Sequence, residues 1–283
     1  MRRVLIAGCG YLGAATADLF HTNKWSVEGW TASQGSAEQL STKPYPVRPI
    51  DFTLGRPETQ AFDIVIHCAS TRGGDAADYR RVYFEGARNL SQAFPDAVLI
   101  FTSSTSVYAQ VSGEWVNELS PAEPRHEAGK ILRETEELVI SRGGIVARLA
   151  GIYGPGRSAL LRKFLSGGAV IDAIGRYVNQ VHRDDAASAL SLLAEKRTSV
   201  ARQIFNVSDG HPMLERECYE WLAAQLNRPI RSAAASSSLR KRGWSNKRVS
   251  SEKLQSLGWQ PRFPDFQSAM MKSILPNLKT CGA

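Results

Sequence analysis

The feature that most constrains this chain is a set of three glycines directly after a short apolar run near the N-terminus. Residues 4–7 read Val-Leu-Ile-Ala, which is typical of a buried parallel strand, and residues 8–13 read Gly-Cys-Gly-Tyr-Leu-Gly. Residues 14–20 then follow a helical pattern, and residues 25–31 read as a second strand. A strand, a glycine turn, a helix and a strand within about 30 residues form the setting in which Gly-x-Gly-x-x-Gly binds a dinucleotide. The sequence therefore predicts a βαβ unit with a phosphate site at its turn.

The alternation of apolar strands and amphipathic helices continues through the first half of the chain. Further strands are predicted at residues 47–50, 63–68, 97–102 and 144–150, with helices at 76–94 and 127–140. Repeated βα units with apolar strands are typical of a parallel sheet covered by helices on both faces. The predicted fold class is therefore α/β, with a doubly wound parallel sheet.

The regular alternation of strands and helices ends after Gly151, and a Gly-Pro-Gly sequence follows at 154–156. The pattern beyond it predicts helices at 159–165, 184–195, 215–226, 250–257 and 266–274, and a strand at 203–207. A chain of 283 residues is long enough for one large α/β unit and a smaller lobe. We therefore predict a dinucleotide-binding domain over residues 1–155. Residues 156–283 are predicted to form mainly a substrate-binding lobe, with elements that return to the sheet.

Each glycine of the turn has its own mechanical role in a dinucleotide site. Gly8 permits the tight turn, Gly10 lets the backbone approach a pyrophosphate, and Gly13 lets the helix pack closely on the strand. The backbone N–H groups of Tyr11 and Leu12 then point at the phosphates from a helix N-terminus. These five residues are the predicted core of the cofactor site.

The end of the second predicted strand is where dinucleotide enzymes distinguish the two forms of the cofactor ribose. Residues 30–36 read Trp-Thr-Ala-Ser-Gln-Gly-Ser. They include neither the acidic residue typical of NAD sites nor the arginine typical of NADP sites. No carboxylate would repel a 2′-phosphate there, and Thr31 and Ser33 can donate hydrogen bonds to one. The predicted cofactor is therefore NADP or NAD, with NADP favoured.

The composition limits the classes of partner. A formal net charge of +8 suits phosphorylated or carboxylated small ligands as well as nucleic acid. We read the one basic cluster, Arg240, Lys241, Arg242, Lys247 and Arg248, first as a solvated loop, so nucleic acid is not the partner that we favour. No apolar run reaches the roughly 18 residues of a spanning helix, and no membrane partner is predicted. Four widely spaced cysteines without a C-x-x-C pair indicate a reducing, cytoplasmic compartment and no metal site.

Seven ordered motifs together resemble one enzyme family. They lie at residues 8–13 (GCGYLG), 50–52 (IDF), 65–70 (VIHCAS), 101–108 (FTSSTSVY), 148–157 (RLAGIYGPGR), 181–187 (VHRDDAA) and 257–261 (LGWQP). In this order the chain resembles an extended or atypical short-chain dehydrogenase/reductase of the NAD-dependent epimerase/dehydratase type, over nearly its whole length. The resemblance implies a Rossmann-type sheet and an NAD(P) cofactor. It also implies adenine contacts from Asp51 and Phe52, and contacts below the adenine ribose from Cys68, Ala69 and Ser70.

The same resemblance implies a catalytic triad of Ser, Tyr and Lys, which is incomplete here. The match places the serine at Ser104 and the lysine at Lys130, which in the family also holds the cofactor ribose. Glu134 follows Lys130 in the usual helix register, but His126 stands in the position of the tyrosine. The proton donor of the family is therefore missing from its expected place.

Three hypotheses follow from the missing tyrosine. The protein can be an oxidoreductase in which His126, with a reference pKa near 6.5, or a phenol of Tyr153 or Tyr108 moves the proton. It can instead be an epimerase or dehydratase in which hydride transfer is transient. In the third hypothesis it binds the dinucleotide without turnover, as a sensor or accessory protein. We favour an enzyme, because a hydroxyl and a lysine are retained at the predicted mouth of the cofactor crevice.

The lobe is expected to select the substrate. Its candidate contacts are Arg157, Asn179 and His182, together with Arg162 and Arg183. Cationic and hydrogen-bonding side chains of this kind suit a small anionic or polyhydroxylated ligand, and the resemblance points to a nucleotide-sugar-like one. A homodimer is also considered.

Overall fold

The computed structural model describes residues 1–55, 60–71, 73–169, 171, 175–230 and 245–278. At its centre, the described residues form a seven-stranded sheet in which every neighbouring pair is parallel. In spatial order its strands are β3 (Val47–Pro49), β2 (Ser26–Thr31), β1 (Arg3–Ala7), β4 (Ile64–His67), β5 (Val98–Ser104), β7 (Ile145–Leu149) and β11 (Ile204–Val207). The predicted doubly wound α/β fold is confirmed.

Six shorter strands pair outside this sheet. They are β6 (Glu114–Val116) with β13 (Lys247–Val249), β8 (Gly151–Tyr153) with β10 (Gln180–His182), and β9 (Tyr177–Val178) with β12 (Met213–Leu214). At two or three residues each, they are too short to show a period of two, so the sequence pattern could not predict them.

Helices cover both faces of the sheet and build the lobe. The α-helices are α1 (Tyr11–Thr22), α2 (Gln34–Glu38), α3 (Ala76–Tyr79), α4 (Gly86–Ala93), α5 (Glu127–Ser141), α6 (Ala159–Leu165), α7 (Arg183–Glu195), α8 (Glu215–Leu226), α9 (Glu252–Gln255), α10 (Phe266–Ala269) and α11 (Leu275–Leu278). Wider π-helical turns join α3 to α4 at Arg80–Glu85 and α10 to α11 at Met270–Ile274, and 3₁₀ turns lie at Phe52–Leu54 and Thr105–Val107. No helix in the described ranges is both long and apolar enough to cross a bilayer.

The core explains why the first strand is apolar throughout. Val4 and Ile6 pack into one hydrophobic cluster with α1 and α7, whereas Leu5 and Ala7 pack into another on the opposite face of the sheet. Because successive side chains of a strand point to opposite faces, a strand covered on both sides needs apolar residues at every position. The part of the chain after residue 155 contributes both α7, which packs on α1, and β11, which pairs with β7.

The strand order fixes where a ligand can bind. From β1 the chain proceeds through β2 and β3 to one side, and from β4 through β5 and β7 to the other. Ligands of open α/β sheets bind in the crevice outside the carboxyl ends of the strands at such a switch point. Residues 8–13 follow β1, residues 68–70 follow β4, and Ser104 ends β5, so three of the predicted motifs converge at this edge.

Candidate functional site

The glycine turn is built so that two of its glycines are required by packing and the third faces open space. Gly8 has φ +97°, and a Cβ there would lie 2.2 Å from the backbone nitrogen of Ala69. A Cβ on Gly13 would lie 2.2 Å from the carbonyl oxygen of Gly8, whereas a Cβ on Gly10 meets no described atom within 4 Å. A side chain at Gly10 would therefore not clash with the described residues, and it would occupy the space that a bound ligand needs.

The helix that starts at this turn presents an uncompensated N-terminus. Gly10 is the N-cap of α1 and offers no side-chain hydrogen bond, and the first turn contains no acidic residue. The first N–H groups of a helix lack intrahelical acceptors, and the helix dipole places partial positive charge there. Such an end binds phosphate readily. The space in front of Gly10 and the N–H groups of Tyr11, Leu12 and Gly13 thus fit the pyrophosphate of NAD or NADP.

Among the residues predicted to contact the adenine side of the cofactor, Ala69 lies against Gly8, and the side chain of Asp51 is hydrogen-bonded within its own loop. The N–H of Cys68 donates to the carbonyl oxygen of Ala7 at 2.8 Å, and this bond brings the backbone of Ala69 close to Gly8. Ser70, the next residue, is exposed. The carboxylate of Asp51 accepts from the Thr53 N–H at 3.0 Å and from its hydroxyl at 2.7 Å. These contacts hold the loop at the end of β3 in a defined shape.

The ribose-selecting end of β2 is occupied by local hydrogen bonds. Thr31 is buried and its hydroxyl donates to the Ser33 carbonyl oxygen at 3.1 Å, while the Ser33 hydroxyl caps α2. The Nε of Arg48 in β3 lies 3.3 Å from the carboxylate of Glu28. Thr31 therefore uses its hydroxyl donor on the backbone, and residues 31–36 contain no carboxylate.

Below the predicted adenine side, His67 is sealed into the core. Its Nε2–H donates to the Val82 carbonyl oxygen at 3.0 Å, inside the π-helical turn, while its buried Nδ1 has no partner among the described residues. Phe52 and Phe101 pack edge-on against the ring, and Tyr83 lies parallel to it. Burial lowers the pKa of His67 to about 4, so the imidazole is neutral at pH 7.

Among the described residues, no side-chain hydrogen bond links any two of the four predicted catalytic residues. Ser104 is half-buried at the end of β5, and its Oγ accepts from the Ser106 N–H at 3.1 Å. His126 caps α5, with its Nδ1 accepting from the Gly129 N–H at 2.9 Å. Lys130 lies on the exposed side of the same helix, where its Nζ donates to Glu127 at 2.6 Å. Within the described ranges, no hydrogen bond joins Ser104 to His126 or Lys130.

Tyr153 and Tyr108 are both buried and already hydrogen-bonded. The Tyr153 hydroxyl donates to the Asp265 carbonyl oxygen at 3.4 Å, and its ring packs within the core of the lobe. The Tyr108 hydroxyl donates to Asn206 Oδ1 at 2.9 Å and accepts from Arg148 at 2.8 Å. Burial raises the pKa of both phenols, which disfavours the phenolate form.

The buried face of α5 holds a charged network that sequence reasoning missed. Glu136 is fully buried, and its carboxylate accepts from the Ser103 hydroxyl at 2.5 Å and from Arg148 at 2.7 and 3.0 Å. Arg133 also donates to it. Burial opposes the charge of Arg148, but the hydrogen bonds and negative charge of Glu136 outweigh it and raise the pKa of the guanidinium.

The register of α5 places Lys130 and the buried glutamate on different sides of the helix. Its buried residues include Gly129, Leu132 and Glu136, so the buried glutamate stands four residues after a leucine. Lys130 and Glu134 occupy another side, where Glu134 pairs with Arg80 at 2.7 Å. Two glutamates in Glu-Thr-Glu and a single buried arginine later in β7 were the available sequence signal for this network. The sequence alone does not show which of the two glutamates faces inward.

Among the predicted substrate contacts, Arg157 and Arg162 are exposed and form no ion pair with the described residues. Arg157 is exposed, and its guanidinium lies 5.2 Å from the ring centre of Tyr11, with that of Arg183 at 5.1 Å from the same ring. Asn179 donates to the Lys247 carbonyl oxygen at 2.9 Å and accepts from the Val249 N–H at 2.7 Å. Asn179 thus links the residue between β9 and β10 to β13 through two hydrogen bonds.

Both ring nitrogens of His182 lie within hydrogen-bond distance of other residues of the fold. Its Nδ1 accepts from the Asp184 N–H at 3.2 Å and so caps α7, and its Nε2 lies 3.0 Å from the Ser273 hydroxyl. The side chain is fully buried, and burial lowers its pKa to about 4. Asp185 of the same motif accepts from the Arg262 and Phe263 N–H groups at 2.7 and 3.0 Å, which anchors the C-terminal segment.

The basic cluster of the sequence is only partly visible, because Arg240, Lys241 and Arg242 lie outside the described residues. Lys247 is buried, donates to the Tyr108 carbonyl oxygen at 3.0 Å, and has a pKa lowered to about 8 by burial. Arg248 donates to the Gly113 carbonyl oxygen at 2.7 Å. These two side chains hold β13 in place. In the part of the chain that is described, no group of three or more potential metal ligands occurs.

Comparisons with known proteins agree with this architecture. Protein YeeZ of Escherichia coli K12 is 30% identical over 227 residues, which cover 75% of this chain and 80% of that protein. A structure from Methylobacillus flagellatus, provisionally assigned as an NAD-dependent epimerase/dehydratase, is 28% identical with a TM-score of 0.79 and covers 100% of this chain and 99% of that one. The fold is also that of the Thermus thermophilus UDP-glucose 4-epimerase in complex with NAD (19% identity, TM-score 0.80, 99% of both chains). The model of the NAD-dependent epimerase/dehydratase family matches residues 4–208, and the chain belongs to that family.

Proposed function

We propose that this protein binds NAD(H) or NADP(H) at the glycine turn and acts on a small polar substrate in the adjoining crevice. The observation that carries the proposal is the turn itself. Gly8 and Gly13 cannot carry a Cβ, Gly10 borders open space, and the N-terminus of α1 has no side-chain cap. When bound, the nicotinamide supplies or accepts a hydride. The described cysteines Cys9, Cys68 and Cys218 are free thiols, which is consistent with a reducing compartment such as the cytoplasm.

The chain's own residues define what kind of enzyme it would be. The N–H groups of α1 hold the pyrophosphate, and Ser104 presents a half-buried hydroxyl at the same edge of the sheet to orient a substrate oxygen. The reaction class that we favour is epimerisation, dehydration or reduction within the family. His126 can accept or donate a proton only if it leaves its capping bond to Gly129.

A second function is favoured by a specific observation. Lys130 is exposed and paired with Glu127, and the phenol of Tyr153 is enclosed in the lobe core, so neither supports proton transfer beside Ser104. A dinucleotide-binding protein without turnover, acting as a sensor or accessory protein, would need only the glycine turn.

Titration with NADH and NADPH, followed by nucleotide fluorescence, tests cofactor binding. Gly10→Val should weaken binding at least tenfold and leave the melting temperature nearly unchanged, because its side chain enters open space. Gly168→Val is a matched control, since a Cβ there makes only ordinary contacts at 3.6 Å in the loop after α6. Undiminished binding by Gly10→Val would remove the site from the glycine turn.

Turnover separates the two functions. UDP-glucose, the substrate in the name of the Thermus thermophilus neighbour, serves as the first probe with NAD or NADP. If Ser104 orients the substrate, Ser104→Ala should lower turnover by orders of magnitude while cofactor affinity is retained. Tight cofactor binding with no conversion of UDP-glucose or other sugar nucleotides would favour the sensor.

A further inference from the structure

A cavity of about 640 Å³ includes Arg157 and Arg162, two of the predicted substrate contacts, in its lining. Its walls come from the loop after β8, from α6 and from the C-terminal helical segment. Its lining includes Arg157, Leu161, Arg162, Leu165, Ile274 and Leu278. Its volume falls within the range of pockets that hold small organic ligands.

The floor of the cavity is aliphatic and only partly covered. Leu161 and Ile274 are buried in the lobe core, whereas Leu165 and Leu278 are each 39% exposed. Four branched aliphatic side chains on one concave surface leave apolar area in contact with water, which burial under a ligand would relieve. A purely hydrated ligand, such as a sugar phosphate, would leave that surface uncovered.

The rim carries two cations without counter-charges. Arg157 and Arg162 are exposed, and in the described part of the chain neither forms an ion pair. Neighbouring cations differ in this respect. Lys163 on the same helix lies 3.4 Å from Glu215, and Arg183 lies 2.8 Å from Asp184. The two arginines therefore give the open end of the cavity a net positive charge, which is complementary to an anionic head group.

The position of Arg157 connects the cavity to the glycine turn. Its guanidinium stacks over Tyr11, the first residue of α1, while the same residue lines the cavity. This contact orients the cation at the rim. The Ser158 hydroxyl, in contrast, accepts from the Leu161 N–H at 3.3 Å and is already used to begin α6. The arginines are therefore the charged groups that a ligand would meet first.

We propose that this cavity binds an amphipathic anion, with a carboxylate or phosphate monoester head on Arg157 and Arg162 and an aliphatic chain over the leucines. Charge complementarity selects this occupant, because a neutral lipid would leave both guanidinium groups uncompensated. The inference goes beyond the cofactor site and does not require that the protein turn over a substrate.

The probes are sodium decanoate and octyl phosphate, each below its micelle-forming concentration, with binding to the full chain measured by titration calorimetry. Both share the proposed chemistry, and comparing them shows which head group is preferred. We expect binding of at least one, and binding of 1-decanol at least tenfold weaker. The double variant Arg157→Gln/Arg162→Gln should weaken binding at least tenfold. A charge-matched control, Arg142→Gln/Arg216→Gln, alters two other exposed arginines and should bind like the unchanged protein.

Three results would overturn the proposal: no binding of either probe at millimolar concentration, equal binding by the Arg157/Arg162 double variant, or equal binding of 1-decanol. Binding that appears only after residues 279–283 are removed would also overturn it, because the chain's own C-terminus would then be the occupant. Gly10→Val should lose NADH and retain decanoate. Failure of the cofactor proposal is thereby distinguished from failure of this one.

Discussion

Replacing Glu136 by Gln tests how α5 is held against the sheet. The side chain is fully buried and accepts hydrogen bonds from Ser103, Arg133 and Arg148, the last through two nitrogens. Glutamine keeps the shape and removes the charge. Arg148, only 2% exposed, would then retain its bond to Tyr108 but lose its counter-charge.

The expected cost follows from what remains buried. Removing one partner of a buried ion pair costs about 3–5 kcal/mol, because the other charge stays in the core uncompensated. At about 2–4 °C per kcal/mol for a large domain, the melting temperature should fall by about 10 °C. Replacing both partners, as in Glu136→Gln/Arg148→Met, should cost less than the sum of the two single changes, because no unpaired charge is left.

Urea unfolding followed by tryptophan fluorescence measures the effect. The matched control is Glu134→Gln, two residues away on the same helix. Glu134 pairs with Arg80 at 2.7 Å, but both side chains are nearly half exposed, so the loss should be much smaller than for Glu136→Gln. If Glu136→Gln and Glu134→Gln unfolded at the same urea concentration, the buried pair would contribute no more than an exposed one, and the assigned cost would be wrong.

Two further predictions concern acid stability and the exposed lysine. The folded state lowers the pKa of His67 to about 4, below the 6.5 of an unfolded histidine, so its contribution is complete above pH 6.5 and is lost as the pH falls toward 4. At 1.36 kcal/mol per pKa unit, the free energy of unfolding should fall by about 3 kcal/mol between pH 7 and pH 4 because of His67. If the urea midpoint of His67→Gln fell by as much as that of the unchanged protein over this range, the assignment would be contradicted. Lys130→Met should change NADH affinity by no more than about twofold, because the side chain makes an exposed ion pair with Glu127. A tenfold loss in fluorescence titration would show instead that Lys130 turns inward to the cofactor.

Most of the sheet could be predicted because its strands are buried on both faces. Val4 to Ala7 is a continuous apolar run, the segments at 63–68, 97–102 and 144–150 are mostly apolar, and the structure has strands at all four places. The Gly-x-Gly-x-x-Gly spacing also located the turn, since two of its glycines are fixed by backbone contacts that a Cβ would violate. The small sheets of the lobe could not be predicted, because β9 and β12 have two residues each and are set by long-range packing.

The catalytic site was harder to predict because a helix register cannot be read from spacing alone. His126, Lys130 and Glu134 lie four residues apart and share one side of α5, but either that side or the one with Leu132 and Glu136 could face the sheet. Burial decides between them. Glu136 can be buried because Arg148 in β7 neutralises it, and that partner is remote in sequence. Tyr153 shows the same limit, since its enclosure by Phe266 and His182 depends on the C-terminal segment.

A buried hydrogen-bond network around Glu136 includes Ser103, the residue directly before Ser104. Ser103 bonds Glu136 on α5, Glu136 bonds Arg148 on β7, and Arg148 bonds Tyr108, whose hydroxyl donates to Asn206 on β11. Four elements are thus joined through hydrogen bonds whose side chains are buried, and low local dielectric strengthens each bond. Ser104 directly follows Ser103 in β5, so the network fixes the backbone next to it, and its Oγ accepts from the Ser106 N–H at 3.1 Å. A variant that breaks the network should therefore impair any reaction that uses Ser104, even at temperatures where the fold persists and the glycine turn still binds its cofactor.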